Sequence, residues 1–117
     1  MKGIIQNVID KLLFFGKFKN IDVHQAKAMI EQGEVMIVDI RNPEAYNQGH
    51  IQGAVLVTKN NMAEFIDKAD KSKPLICYCS KGISSCLACL DFKKAGFSML
   101  YSIKGGFDAW KKQISVS

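Results

Sequence analysis

No apolar run in the 117-residue chain approaches the length of a membrane-spanning helix, and the sequence holds neither an internal repeat nor a low-complexity tract. A helix that crosses a bilayer needs roughly 20 consecutive apolar residues, so a soluble, cytoplasmic protein is expected. The apolar amino terminus does not change this. Gln6, Asn7, Asp10 and Lys11 interrupt its run, and no small-residue cleavage site follows, as a signal peptide would require. Cysteine is missing from all but one segment, which carries Cys77, Cys79, Cys86 and Cys89. A disulfide framework would distribute its cysteines to tie distant loops together, so free thiols in a reducing compartment are expected. The net charge is +5, but the lysines are scattered instead of interleaving with aromatics along one groove. That pattern argues against nucleic acid and leaves an anionic small molecule, an acidic partner protein or an ordinary solvated basic surface.

What is present suits one compact domain, with length enough to build a single core. Ile4, Ile5, Val8, Ile9, Leu12 and Leu13 recur at helical spacing and predict a first amphipathic helix ending near Gly16. Asp22, with Gln25 three residues on, predicts a capped helix to about Glu31, closed by Gly33. Val35–Asp39 reads as a strand apolar enough to be buried on both faces. Asn42-Pro43 opens a short helix to Tyr46, Ala54–Val57 is a second strand, and a helix runs from Asn61 toward Ala69. After the Lys71–Pro74 loop come a strand over Leu75–Cys79, a helix over Ser84–Ala95 ended by Gly96, a strand over Met99–Ile103 and a last helix started by Gly105-Gly106. Strands alternating with helices imply an α/β fold, a central and mainly parallel sheet with helices on both faces. Ligands in such sheets gather at the carboxyl ends of the strands, where Cys79 stands.

Between that strand and the next helix the chain reverses in about four residues, with Gly82 free to adopt a left-handed conformation. The N–H groups of the turn, with those of the helix's first turn, can converge into an anion-binding concavity. A thiol at its centre, beside a cation such as Lys81, is favoured as thiolate, the nucleophilic form. An inert buried thiol is the competing reading of Cys79.

Val38-Asp-Ile-Arg41, Gly49-His50-Ile51, Cys79-Ser-Lys-Gly-Ile-Ser-Ser85 and Gly105-Gly-Phe-Asp-Ala-Trp110 occur in an order and spacing that resembles the rhodanese (thiosulfate sulfurtransferase) family, in particular its single-domain bacterial members. The resemblance covers about residues 20 to 112. It implies a rhodanese-like domain over residues 20–117, with residues 1–19 as an amphipathic extension. It further implies a persulfide carried on Cys79, a cradle formed by Ser80, Lys81, Gly82, Ile83, Ser84 and Ser85, and support from Asp39 and Arg41. Sulfane sulfur would pass from thiosulfate or a persulfide donor to cyanide, a thiol or a protein, with no cofactor and no metal. Two departures from the family pattern stand out. Many members have arginine five residues after the cysteine, where this chain has Ser84, so the bidentate clamp on an anionic donor is missing. The acidic residue usual before the aromatic of the Arg41 motif is Ala45, with Glu44 one position early, which leaves the partner of Arg41 open.

Other readings compete. Cys77-x-Cys79 and Cys86-x-x-Cys89 have the donor set of a zinc site, although Cys79 would have to leave the cradle and Cys89 sits a turn into the helix. Cys77, Cys86 and Cys89 otherwise read as small core residues, with a resolving thiol as the redox alternative for Cys86 or Cys89. A cysteine-dependent phosphatase or arsenate reductase uses a similar cradle but needs arginine six residues after the cysteine, at Ser85. A non-catalytic rhodanese-like binding or regulatory module is the remaining alternative. His50 reads as a structural hydrogen-bonding residue, His24 as solvent-facing, and Phe107 and Trp110 as core aromatics. Ile83, Leu87 and Leu90 form an apolar stripe on the cysteine-loop helix that needs a cover. The first helix, within residues 1–18, would supply one within the chain or across a homodimer, unless it lies on a membrane surface instead.

Overall fold

The computed structural model describes residues 18–114, so the predicted first helix lies outside the described residues. Among the described residues five strands and five helices alternate: β1 (Lys19–Ile21), α1 (Val23–Gln32), β2 (Met36–Asp39), α2 (Pro43–Gln48), β3 (Val55–Leu56), α3 (Met62–Lys68), β4 (Leu75–Tyr78), α4 (Ser84–Lys94), β5 (Leu100–Ile103) and α5 (Gly106–Gln113). The strands form one sheet in the order β1-β5-β4-β2-β3, with every pairing parallel. This is the α/β architecture expected from the alternation, and it makes β4 the central strand.

The local signals explain most of these elements. Asp22 and Gln25 form a reciprocal capping box at the start of α1, and the Asn42 side chain accepts from the Ala45 N–H to cap α2. Asn61 opens α3 as expected. It makes no side-chain cap on α3, and its amide instead accepts from the Thr58 N–H and donates to the Leu56 carbonyl, tying β3 to the loop. β1 was not anticipated. Its Lys-Asn-Ile sequence carries little apolar signal, and it becomes a strand by pairing Asn20 with Ser102 and Ile21 with Ile103 of β5. The expected boundary between residues 19 and 20 therefore falls inside β1, and Phe18 is already buried in the core.

Strand residues alternate between two apolar cores. Val38, Leu75, Cys77 and Leu100 face α3 and α4, where they meet Cys86, Cys89, Phe92 and Phe97. Ile37, Ile76, Tyr78 and Ile103 face α1 and α5, where they meet Val23, Ala26, Phe107 and Trp110. With both faces covered, the polar groups at the carboxyl end of β4 are enclosed by β2 on one side and β5 on the other.

Candidate active site

Cys79 is the first residue past β4, and the chain turns there into α4 through residues 80–83. The residue flanking the start of α4 is Ile83, which offers no side-chain acceptor to the helix. The Cys79 sulfur takes that place: the Ser85 N–H donates to Sγ at 3.3 Å and the Gly82 N–H at 3.1 Å. The Ser85 hydroxyl also lies 3.3 Å from Sγ, as acceptor from the thiol. An amide of the loop and an orphan amide of the helix start thus converge on one sulfur, in the direction that favours negative charge. The residue is buried, with 7% of its surface exposed.

The loop is held from beneath by α5. The Phe107 and Asp108 N–H groups donate to the carbonyls of Cys79 and Ser80, at 2.8 and 3.0 Å. So close an approach requires glycine. At Gly106 (φ +59) a Cβ would stand 2.7 Å from the Ser80 carbonyl, and at Gly82 (φ +88) it would stand 2.7 Å from the Gly105 nitrogen. Two helix starts therefore meet at one turn, α5 holding its carbonyls and α4 directing its amides to the sulfur.

Beside it, Arg41 makes a bidentate pair with Asp39, Nη2 to Oδ2 at 2.7 Å and Nε to Oδ1 at 3.0 Å. Nη2 also donates to the Gly49 carbonyl, and the guanidinium lies 4.2 Å from the Phe107 ring centroid. The partner of Arg41 is therefore the carboxylate two residues earlier, fully buried, and the pair ties the 49–51 turn to the sheet end. Burial acts against the charged guanidinium, but Asp39 outweighs it and raises the Arg41 pKa. The Tyr78 phenol, accepting from the Ile51 N–H, is pushed well above its usual range by burial and by Asp39. His50 is structural: Nδ1 lies 2.7 Å from the Tyr46 carbonyl and its ring stacks on Tyr46. His24 is exposed.

Cys77, Cys86 and Cys89 are fully buried in the core on the α4 side, and all four thiols are free. Burial raises the Cys86 pKa; the neighbouring Cys89 thiol, followed by burial, raises that of Cys77. Among the described residues no group of three or more His, Cys, Asp and Glu side chains is placed to hold a metal ion.

The rhodanese-like domain family matches residues 22–113. The chain belongs to the rhodanese family. It is 44% identical to the thiosulfate sulfurtransferase GlpE of Shewanella oneidensis over 93 residues, which are 80% of this chain and 92% of that protein. Among solved structures it resembles a rhodanese-like domain protein from Staphylococcus aureus (TM-score 0.70, 23% identity, 80% of this chain and 91% of that one). It also resembles a protein of unknown function from Rhodopseudomonas palustris described as a possible tyrosine phosphatase (TM-score 0.75, 27% identity, 92% and 89% covered).

In this rhodanese, the cradle residues read from the sequence divide into three groups. Gly82 and Ser85 donate N–H groups to the sulfur, Ser80 anchors the loop through its carbonyl, and Lys81, Ile83 and Ser84 are exposed at its rim. Asp39 and Arg41 stand together as a brace. The stripe on α4 is partly outward, Ile83 and Leu87 exposed and Leu90 half-buried. Sequence reasoning missed Ser102, whose hydroxyl lies 2.7 Å from that of Ser85; a lone serine in an apolar strand was its only signal. It also missed the clasp from α5, for which the paired Gly105-Gly106 was the available sign.

Proposed function

We propose that this rhodanese is a sulfurtransferase that carries sulfane sulfur as a persulfide on Cys79. The observation that carries the proposal is the convergence of the Gly82 and Ser85 N–H groups on the Cys79 sulfur. The Cys79 thiolate attacks the outer sulfur of thiosulfate, the S–S bond of the donor breaks, and sulfite leaves with the bonding pair. The product is an anionic Cys79 persulfide, and the donors that faced the thiolate are positioned to hold it. Cyanide or a thiolate then attacks the terminal sulfur, taking it as thiocyanate or as a new persulfide, and the Cys79 thiolate returns. No step requires a metal or a cofactor.

Ser80, Lys81, Gly82, Ile83, Ser84 and Ser85 form the cradle, while Asp39 and Arg41 position it without touching substrate. The phosphatase alternative fits less well, since the residue six after the cysteine is the buried Ser85, which offers no guanidinium to a phosphoryl group. A purely binding module would have no use for amides gathered on a sulfur. The free thiols suit the cytoplasm, where reduction keeps the nucleophile available. The amphipathic segment ahead of Phe18 is assigned to covering the Ile83–Leu87 stripe, within the chain or across a homodimer. Cosedimentation with anionic vesicles that is lost on deleting residues 1–17 would assign it to a membrane surface instead.

The decisive experiment is mass spectrometry after incubation with thiosulfate. The wild type gains one sulfur atom on the peptide carrying Cys79, and Cys79→Ser gains none and has no transferase activity while remaining folded. Sulfur gained by Cys79→Ser, or activity lost equally in Cys86→Ala, would replace the single-cysteine mechanism.

A further inference from the structure

Ser102 lies on β5 in register with Asn20 on one side and Cys77 on the other, in the row that faces α4. It is fully buried. A hydroxyl facing an apolar core is unfavourable unless it is hydrogen-bonded. Its Oγ is 2.7 Å from Ser85 Oγ and 3.5 Å from Cys86 Sγ, while Ser85 Oγ is 3.3 Å from Cys79 Sγ. Four side chains from β4's end, α4 and β5 therefore form one buried chain: Cys79, Ser85, Ser102, Cys86.

We infer that Ser102 is a positioning residue for Cys79, acting through the Ser85 hydroxyl; this rests on Cys79 being the sulfur carrier. A serine hydroxyl has one proton and can rotate among staggered positions. When Cys79 is a thiol, its S–H donates to Ser85, whose proton turns to Ser102. When the sulfur is anionic, as thiolate or persulfide, the bonds run the other way. Ser102 donates to Ser85 and Ser85 donates to the sulfur, while the Cys86 S–H faces both Ser102 and the Gly82 carbonyl, at 3.5 and 3.2 Å. No covalent bond changes in this reversal. Ser102 thus supplies whichever partner leaves the Ser85 hydroxyl facing the sulfur in the required sense. Ser85, Ser102 and Cys86 are fully buried, so water does not compete for the bonds behind the sulfur, and an O–H donor to an anion is at its strongest there.

A double-mutant cycle tests the assignment. Wild type, Ser85→Ala, Ser102→Ala and the double variant are compared by kcat/KM with thiosulfate and by the pH profile of iodoacetamide labelling at Cys79, resolved by peptide mass. Ser85→Ala is expected to lower kcat/KM about tenfold and Ser102→Ala about fivefold, both moving the labelling profile to higher pH. The double variant should be no worse than Ser85→Ala, and Ser102→Thr, which keeps the hydroxyl, should stay near wild type. Multiplying losses in the double variant, or a labelling profile unmoved by Ser102→Ala in a folded protein, would overturn the inference. If Cys79 does not carry sulfur, thiosulfate leaves no added mass there, yet the labelling cycle still reads the coupling of the two serines. The two failures are therefore distinguishable.

Discussion

After β2 the chain closes its polar groups on one another: Asp39 takes the Arg41 guanidinium and backbone N–H, Arg41 takes the Gly49 carbonyl, and Tyr78 takes the Ile51 N–H. After β4, on the adjacent strand, the Gly82 and Ser85 N–H groups have no carbonyl and point at a thiol instead. Both loops leave the carboxyl end of one sheet, and each buries the side chain on which its polar groups converge, Asp39 in the first and Cys79 in the second. The first satisfies charge with charge. The second keeps donors aimed at an atom that can gain negative charge, and relies on α5 to hold its carbonyls. Stability and chemistry are thus assigned to neighbouring loops, with Phe107 common to both: its ring lies against Arg41 and its N–H holds Cys79.

The sharpest way to break this contrast is to remove the charge pair. Asp39→Ala leaves a guanidinium whose side chain is 8% exposed without its counter-charge, an expected loss of about 3–5 kcal/mol in urea unfolding. Cys79→Ser, at the other loop, should leave the unfolding midpoint near wild type. A loss below about 1 kcal/mol in Asp39→Ala would place both loops in the same class.

Alkaline unfolding is the next largest effect. The thiols of Cys77 and Cys86 and the phenol of Tyr78 are all raised when folded, from ordinary values of 9.0 for the thiols and 10.0 for the phenol. Above those values the unfolded chain gives up protons that the folded chain retains. Their contribution is therefore complete below about pH 9 and declines as pH rises, by about 1.4 kcal/mol per pH unit for each group. Urea midpoints measured across this range should fall, and Cys77→Ala should flatten the first part of the slope. A flat profile past pH 10.0 would contradict the burial of these protons.

The smallest expected change sharpens the comparison by giving the cysteine loop a charge. Ser84 is exposed at the rim, so an arginine there has room to pair with an anionic donor. Ser84→Arg should lower the KM for thiosulfate about tenfold, a charge-assisted hydrogen bond being the gain. Transfer from an uncharged persulfide donor should change far less. Equal effects on both donors would show that the rim does not orient the anion.

Much of the fold was legible because its signals are local. The Asp22–Gln25 box, Asn42-Pro43 and the apolar runs of β2, β4 and β5 act within a few residues of chain, and all produced elements close to those expected. β1 was not legible, since Lys19 and Asn20 become strand only by pairing with β5. Of the candidate site, Cys79 and Gly82 stood out because a strand end followed by a glycine turn and a helix start is a contiguous pattern. The partner of Arg41 could not be read, because the family pattern pointed downstream while the carboxylate that holds it lies upstream.

From β2 onward the order of elements, together with the parallel α/β class and the place of Cys79 at a strand's end, follows from the sequence by itself, through short-range periodicity and capping. Which amides reach the sulfur, that α5 clasps the loop, and that Ser102 stands behind Ser85 were decided only by the tertiary structure. The last two of these contacts join residues 17 to 28 positions apart whose meeting depends on β5 lying beside β4, and hydrogen-bond geometry is set by that packing to within tenths of an ångström, a precision that no local propensity carries.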